Sequence, residues 1–222
     1  MNHAVLLASY STNGVAVIQE ELREKKVTVA HVVCHAPTEE TALDEQMGRL
    51  NAEKVDSLVV LPLFMAPGKT WTAFQKEIEA YRGVFRMNIL PPFLSVPENR
   101  EHLARILSFE EGKRYLMVGH GSGNLSDNFY RELEPLLPEN VQVALLEGKP
   151  SVEETVAQWD TSLPLVVVPL LMTAGHHMWE ELVVYLVSSL TAKGYTVSVS
   201  AHALLEDPAF RRLVLDQLPA EE

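Results

Sequence analysis

Three residues able to hold a metal ion each follow an apolar run of strand length. His120 stands in Gly119-His120-Gly121-Ser122, directly after Met117-Val118. Glu147 follows the run 141–146, and His177, preceded by His176, follows the run 165–172 across Thr173-Ala174-Gly175. In an open α/β sheet, side chains just past the carboxyl ends of neighbouring strands converge on one crevice. Two imidazoles and a carboxylate would meet there, a donor set that suits Co, Fe, Ni or Zn better than Mg or Ca, which prefer oxygen shells. Neutral imidazole, with an ordinary pKa near 6.5, can also take up a proton at neutral pH. Adjacent residues point differently around a helix start, so one of His176 and His177 is expected to enter the site.

The elements that must position these residues alternate along the whole chain. Apolar runs at 4–8, 28–33, 57–63, 85–90, 114–118, 141–146, 165–171 and 196–201 read as strands. Between them lie segments of helical periodicity, among them 39–52, 126–136 and 178–193, the pattern of parallel βαβ units. Thr38 and Ser151 each stand at an expected helix N-cap with acids in the first turn. The chain also repeats itself. Val59 to Gly68 parallels Val166 to Gly175, Pro37-Thr38-Glu39-Glu40 parallels Pro150-Ser151-Val152-Glu153, and Leu7 to Asn13 more weakly parallels Val118 to Asn124. The expected fold is therefore α/β with two Rossmann-like βαβαβαβα halves, 1–110 and 111–222, each a four-stranded parallel sheet facing the other across a cleft. By this alignment Ser9 corresponds to His120, Cys34 to Glu147 and Thr70 to His177, which places the metal-competent residues in the second half.

Composition removes several functions. Eighteen basic against thirty acidic residues give a formal charge of −12, which repels phosphate backbones and anionic membranes, so no nucleic-acid partner and no membrane contact are expected. The first residues lack the pattern of a signal peptide, no run approaches a membrane span, and a cytoplasmic protein is expected. A single cysteine, Cys34, excludes an internal disulfide framework and a Cys-rich zinc site. Neither a G-x-S-x-G elbow nor a nucleotide-binding glycine motif is present, so no hydrolase triad and no nucleotide are expected. An anionic small substrate would need local cations, and Lys69, Lys149 and Arg114 are the candidates by position. His3, His31, His35, His102 and His202 have no strand-end motif and are read as surface or packing residues.

At the strand-end motifs the chain resembles the anaerobic sirohydrochlorin cobaltochelatase family, the class II chelatases related in fold to ferrochelatases. The resemblance rests on Val-Val-x-Pro-Leu plus Gly at Val59 to Gly68, Gly119-His120-Gly121-Ser122, Glu147-Gly148-x-Pro150, and the segment Pro169 to His177. It implies an ATP-independent lyase that inserts a divalent metal into sirohydrochlorin, in cobalamin or sirohaem biosynthesis. Co2+ is the first choice, with Fe2+, Ni2+ or Zn2+ as alternatives. It also implies that His120, Glu147 and His177 bind the metal, with His120 the base for pyrrole protons. Ser9, Tyr10 and Trp71 become candidates for contact with the tetrapyrrole; Trp71 and Trp179 could flank a flat macrocycle or pack beneath the interface, and Tyr10 and Tyr130 could donate hydrogen bonds. The chain departs from the family at Ala8-Ser9-Tyr10-Ser11-Thr12 and at Phe64, on the substrate side. A tetrapyrrole or metal carrier without insertion activity, and a ferro- or nickel chelatase on a related tetrapyrrole, are the competing readings; assembly into a homo-oligomer is left open.

Overall fold

The computed structural model describes residues 2–173, 180–200 and 202–220. The expected eight strands are present, as two four-stranded parallel sheets. The first half runs β1 (His3–Ser9), α1 (Val15–Glu24), β2 (Thr28–Val33), α2 (Leu43–Ala52), β3 (Ser57–Leu63), α3 (Lys69–Ile78), β4 (Arg86–Ile89) and α4 (Pro97–Ile106). The second runs β5 (Arg114–Gly121), α5 (Asn128–Arg131), β6 (Val141–Glu147), α6 (Val152–Val156) and β7 (Leu165–Pro169). It closes with a π-helical stretch, Glu180–Leu186, leading into α7 (Val187–Ala192), then β8 (Val197–Val199) and α8 (Pro208–Leu215). The two sheets have equivalent orders, β2-β1-β3-β4 and β6-β5-β7-β8, so each half has its first strand at the centre.

Both faces of each sheet are covered, which is why the central strands are apolar throughout rather than alternating with polar residues. In β1, Val5 and Leu7 enter a core shared with the second half, while Ala4, Leu6 and Ala8 enter the outer core under α2 and α3. In β5, Tyr115 and Met117 join the shared core, whereas Leu116 and Val118 face the second outer core. The shared core includes Phe93 and Phe210, whose rings meet at 4.8 Å. Polar contacts also cross between the halves: Arg211 to Glu21 at 2.6 Å, Arg100 to Glu132 at 2.7 Å, and Asn99 to Gln217 at 2.9 Å. A common core and these links hold the two sheets' strand ends at a fixed separation.

Helix starts follow their capping residues. Ser151 accepts from the backbone of Glu154 and closes a capping box on α6, and Asp207 accepts from Ala209 and Phe210 ahead of Pro208 on α8. Two expected helices are broken. The segment 39–52 is interrupted at Ala42, which is extended, between a 3-10 turn Glu39–Thr41 and α2. The segment 126–136 divides into a 3-10 turn Leu125–Asp127, the single turn α5 and a second 3-10 turn Glu134–Leu136. There Pro135 restricts the backbone, and Asp127 is engaged by the preceding loop instead of extending a helix. No helix among the described residues is long and apolar enough to cross a membrane.

Candidate functional site

A cavity of about 690 Å3 opens at the carboxyl ends of the strands and draws its lining from both halves. From the first come Tyr10, His35, Phe64, Lys69 and Thr70; from the second, His120, Ser122, Glu147 and Thr173. This is the position at which parallel α/β sheets present ligand-binding side chains, and its size is within the usual range for small-molecule sites.

His120 is the penultimate residue of β5 and Glu147 the last of β6, with Gly121 paired to Glu147 in the parallel register. The glycines of the motif permit this approach. A Cβ on Gly121, whose φ is +76°, would lie 2.0 Å from the Glu147 carbonyl oxygen, and one on Gly119 would lie 2.5 Å from the Tyr130 ring. His120 Nδ1 is 3.0 Å from the Gly121 carbonyl oxygen. A carbonyl can only accept, so Nδ1 carries the hydrogen and Nε2 keeps its lone pair for a metal or a proton. Among the described residues nothing pairs with the Glu147 carboxylate, whose residue is solvent-exposed.

Asp127 fixes the loop that carries His120 and was not anticipated from the sequence. Its buried carboxylate accepts from Ser122 N at 2.8 Å, Ser122 Oγ at 3.1 Å and Gly123 N at 3.0 Å. Gly123 N also reaches the Glu147 carbonyl at 3.2 Å, and a Cβ on Gly148 would lie 2.2 Å from Asp127 Oδ2. One carboxylate thus joins the His120 loop to the Glu147-Gly148 turn. A signal was available in Asn124-Leu125-Ser126-Asp127, a run of cap-forming residues just after a glycine-rich loop.

His177, with His176 and Trp179, lies outside the described residues. Among those described, no three His, Cys, Asp or Glu side chains gather as a ligand set, leaving His120 and Glu147 as the donors at this end of the sheet. Several other sequence expectations are corrected. Ser9 is fully buried; its hydroxyl donates to the Ser11 carbonyl at 2.7 Å and lies 2.7 Å from His31 Nε2, beneath the cavity rather than in it. Trp71 belongs to the cavity wall but is only 1% exposed, its ring packed between Phe64 and Phe74. Tyr10 does stand at the cavity, and Tyr130 lines it from a buried position, with burial and the nearby Asp127 raising its phenol well above the ordinary range. Lys149 is paired with Glu154, and Arg114 lies at the opposite end of β5, its guanidinium 5.2 Å above Trp159; of the three cations only Lys69 lines the cavity.

The register also corrects the alignment of the halves. Val32, Ala8 and Pro62 form one row across the first sheet, and Ala144, Val118 and Pro169 form the matching row across the second. Counting onward along each strand, Tyr10 corresponds to His120 and His35 to Glu147, one residue beyond the sequence alignment. Ser9 falls opposite Gly119 and Cys34 opposite Leu146. Cys34 is accordingly a half-buried thiol, pushed up to about 12 by burial and the Glu77 carboxylate, which leaves it protonated and inert at neutral pH. His35, read from the sequence as a surface or packing residue, is instead a wall of the cavity.

Two parallel sheets of equivalent order open together onto one cavity lined by an imidazole and a carboxylate. The sequence profile of the cobalt chelatase family, CbiK, matches residues 11–221, and the chain belongs to that family. It is a chelatase, as its motifs imply. Among solved structures it is similar to SirB from Bacillus subtilis with Fe3+, at 15% identity and a TM-score of 0.71, covering 98% of this chain and 94% of that one. It is also similar to the sirohydrochlorin chelatase SirB from Bacillus subtilis subspecies spizizenii in complex with cobalt, at 16% identity and a TM-score of 0.68, covering 98% and 94%. A third neighbour, DR2241 from Deinococcus radiodurans, is a multi-domain protein with structural similarity to chelatases, at 18% identity and a TM-score of 0.67; the match covers 97% of this chain and 54% of that one. No curated protein sequence matches the chain.

Proposed function

We propose that the protein inserts Co(II) into sirohydrochlorin in the cavity between its two halves. His120 and Glu147, with His177, are assigned as the ligands that deliver the ion, and His120 as the acceptor of a pyrrole proton. The observation that carries this reading is the free Nε2 of His120, oriented by its Nδ1–H bond to Gly121, on the strand next to an unpaired Glu147 carboxylate. Insertion breaks two pyrrole N–H bonds and forms metal–nitrogen bonds, releasing two protons for each divalent ion taken up. A neutral imidazole can hold the ion and, once the macrocycle begins to take it, accept a proton at the nitrogen the ion leaves. The carboxylate offsets the charge of the incoming cation and must release it, which suits an open three-ligand site better than a closed structural one. Membership of the cobalt chelatase family supports Co(II); the affinity order of divalent metals alone would favour Cu at such donors.

The test is anaerobic mixing of purified protein, sirohydrochlorin and Co(II), followed by visible absorption. Metallation faster than the uncatalysed control is expected. A spectral shift on binding without acceleration would replace insertion by a carrier role, and faster metallation with Fe(II) or Ni(II) in parallel would reassign the metal.

A further inference from the structure

In the first half, the positions matching His120 and Glu147 are filled by two stacked rings. Tyr10 and His35 lie with their centroids 4.6 Å apart and planes 10° from parallel, both lining the cavity. Tyr10 is 43% exposed, an unusual exposure for a large aromatic ring that already has a stacking partner on one side. The ring nitrogens of a stacked imidazole carry their lone pairs in the ring plane, parallel to the tyrosine face. The pair is therefore poorly disposed to chelate an ion jointly, and well disposed to present a flat, rigid π surface. Flat conjugated ligands bind such surfaces by offset stacking. Phe64, which also lines the cavity, adds apolar area on the same side, with the buried Trp71 packed against it.

We propose that Tyr10, held flat by His35, is the platform on which the macrocycle stacks, so that the first half grips the face of the tetrapyrrole while the second half presents the metal. This rests on reading the cavity as a tetrapyrrole site, and it assigns to His35 a positioning role exercised through Tyr10.

The experiment is anaerobic titration of the folded protein with metal-free sirohydrochlorin, paired with a separate titration with Co(II) alone. Tyr10→Ala is expected to weaken macrocycle binding about tenfold and Tyr10→Phe to leave it within about twofold, since the ring and not the hydroxyl does the stacking. His35→Ala should weaken it by a smaller factor, about threefold, and His35→Phe should restore it. Co(II) affinity should be unchanged in all four. The double variant Tyr10→Ala/His35→Ala should bind no more weakly than Tyr10→Ala, because His35 acts through the tyrosine. If the unsubstituted protein fails to bind metal-free sirohydrochlorin, the functional reading falls and this one with it. If it binds and Tyr10→Ala binds equally well, only the platform is overturned. A His35→Phe protein that binds the macrocycle as weakly as His35→Ala would also overturn the platform, by showing that the imidazole nitrogen and not the stacked ring is what binding needs.

Discussion

The strand ends of the two halves share one scaffold and differ at nearly every residue that meets the cavity. In the second half the strands continue past the matching row as Gly119, His120 and Gly121 beside Leu145 and Glu147; in the first they continue as Ser9, Tyr10 and Ser11 beside Val33 and His35. Even the edge strands are finished alike, with His31 N donating to Gln46 Oε1 at 3.4 Å and Val143 N to Glu134 Oε2 at 2.8 Å. What differs is how near the backbones come. Glycines at 119 and 121 let Tyr130 and the Glu147 carbonyl press against β5, and an imidazole and a carboxylate reach the same cavity. The first half has side chains at both places and presents rings. The placing of His120 and Glu147 at the cavity therefore depends on the glycines around them.

The sharpest way to break the comparison is to remove one member of each matched pair. His120→Ala should lower the insertion rate by about 10²- to 10⁴-fold, the usual contribution of a positioned base, without lowering the melting temperature, since the ring lines a cavity and is not core. Tyr10→Ala should leave the rate at saturating macrocycle within a few-fold. Initial rates of cobalt insertion, read by visible absorption beside thermal melts, decide between them. Equal losses in kcat would mean that both halves act on the proton or the ion.

The glycines give the next largest contrast. Gly121→Ala places a Cβ 2.0 Å from a backbone oxygen at a positive φ, and strain together with overpacking should cost about 3 kcal/mol. Its counterpart Ser11→Ala removes a buried hydroxyl that has no hydrogen-bond partner, so stability should change by less than about 0.5 kcal/mol. Urea denaturation of the two variants is the check. A Gly121→Ala protein as stable as the parent would remove the close approach from the explanation of the site.

Much of this was legible in the chain. The alternation of apolar runs and helical periods located all eight strands, and the motif residues marked the strand ends because parallel sheets expose their carboxyl termini. Register was harder to read. The alignment through Pro62 and Pro169 is sound, but carrying it to β1 and β2 requires knowing which residues pair across strands, and loops of unequal length hide a one-residue slip. That slip is why Cys34 and Ser9 stood in for His35 and Tyr10. Trp71 was ambiguous for another reason: an indole near a binding motif is compatible with a ligand face or with core, and its burial at the cavity wall comes from packing that the sequence does not display. Asp127 was missed because its role is to accept from loop amides, which leaves no apolar pattern.

Asp127→Ala tests whether the loop brace matters to the site or only to the fold. It leaves Ser122 N without an acceptor, removes one of two partners from Ser122 Oγ and Gly123 N, and should cost about 1–3 kcal/mol. Because those groups hold the His120 loop, Co(II) affinity should fall in parallel, measured by calorimetric titration at a temperature where the variant remains folded. Unchanged affinity in a destabilised protein would confine Asp127 to stability.

The smallest expected effect concerns the buried polar pair that only the first half possesses. His31 is 9% exposed, and burial lowers its imidazole from 6.5 to about 4, so it is neutral in the folded protein at pH 7. The Ser9 hydroxyl donates to Ser11, so His31 Nε2 carries the hydrogen and donates to Ser9 Oγ. The unfolded chain binds the extra proton below pH 6.5 and the folded one only near pH 4. Stability from this group is thus complete above 6.5 and is lost as pH falls toward 4, by about 2 kcal/mol between pH 7.5 and pH 5. Val143, at the equivalent place in the second half, does not titrate. His31→Gln keeps a donor for Ser9 but cannot titrate, so stability plotted against pH should be flatter for the variant over this window. Curves that stay parallel from pH 7.5 to 5 would show that His31 is protonated in the fold at little cost, and that the first sheet opens more readily than its packing suggests.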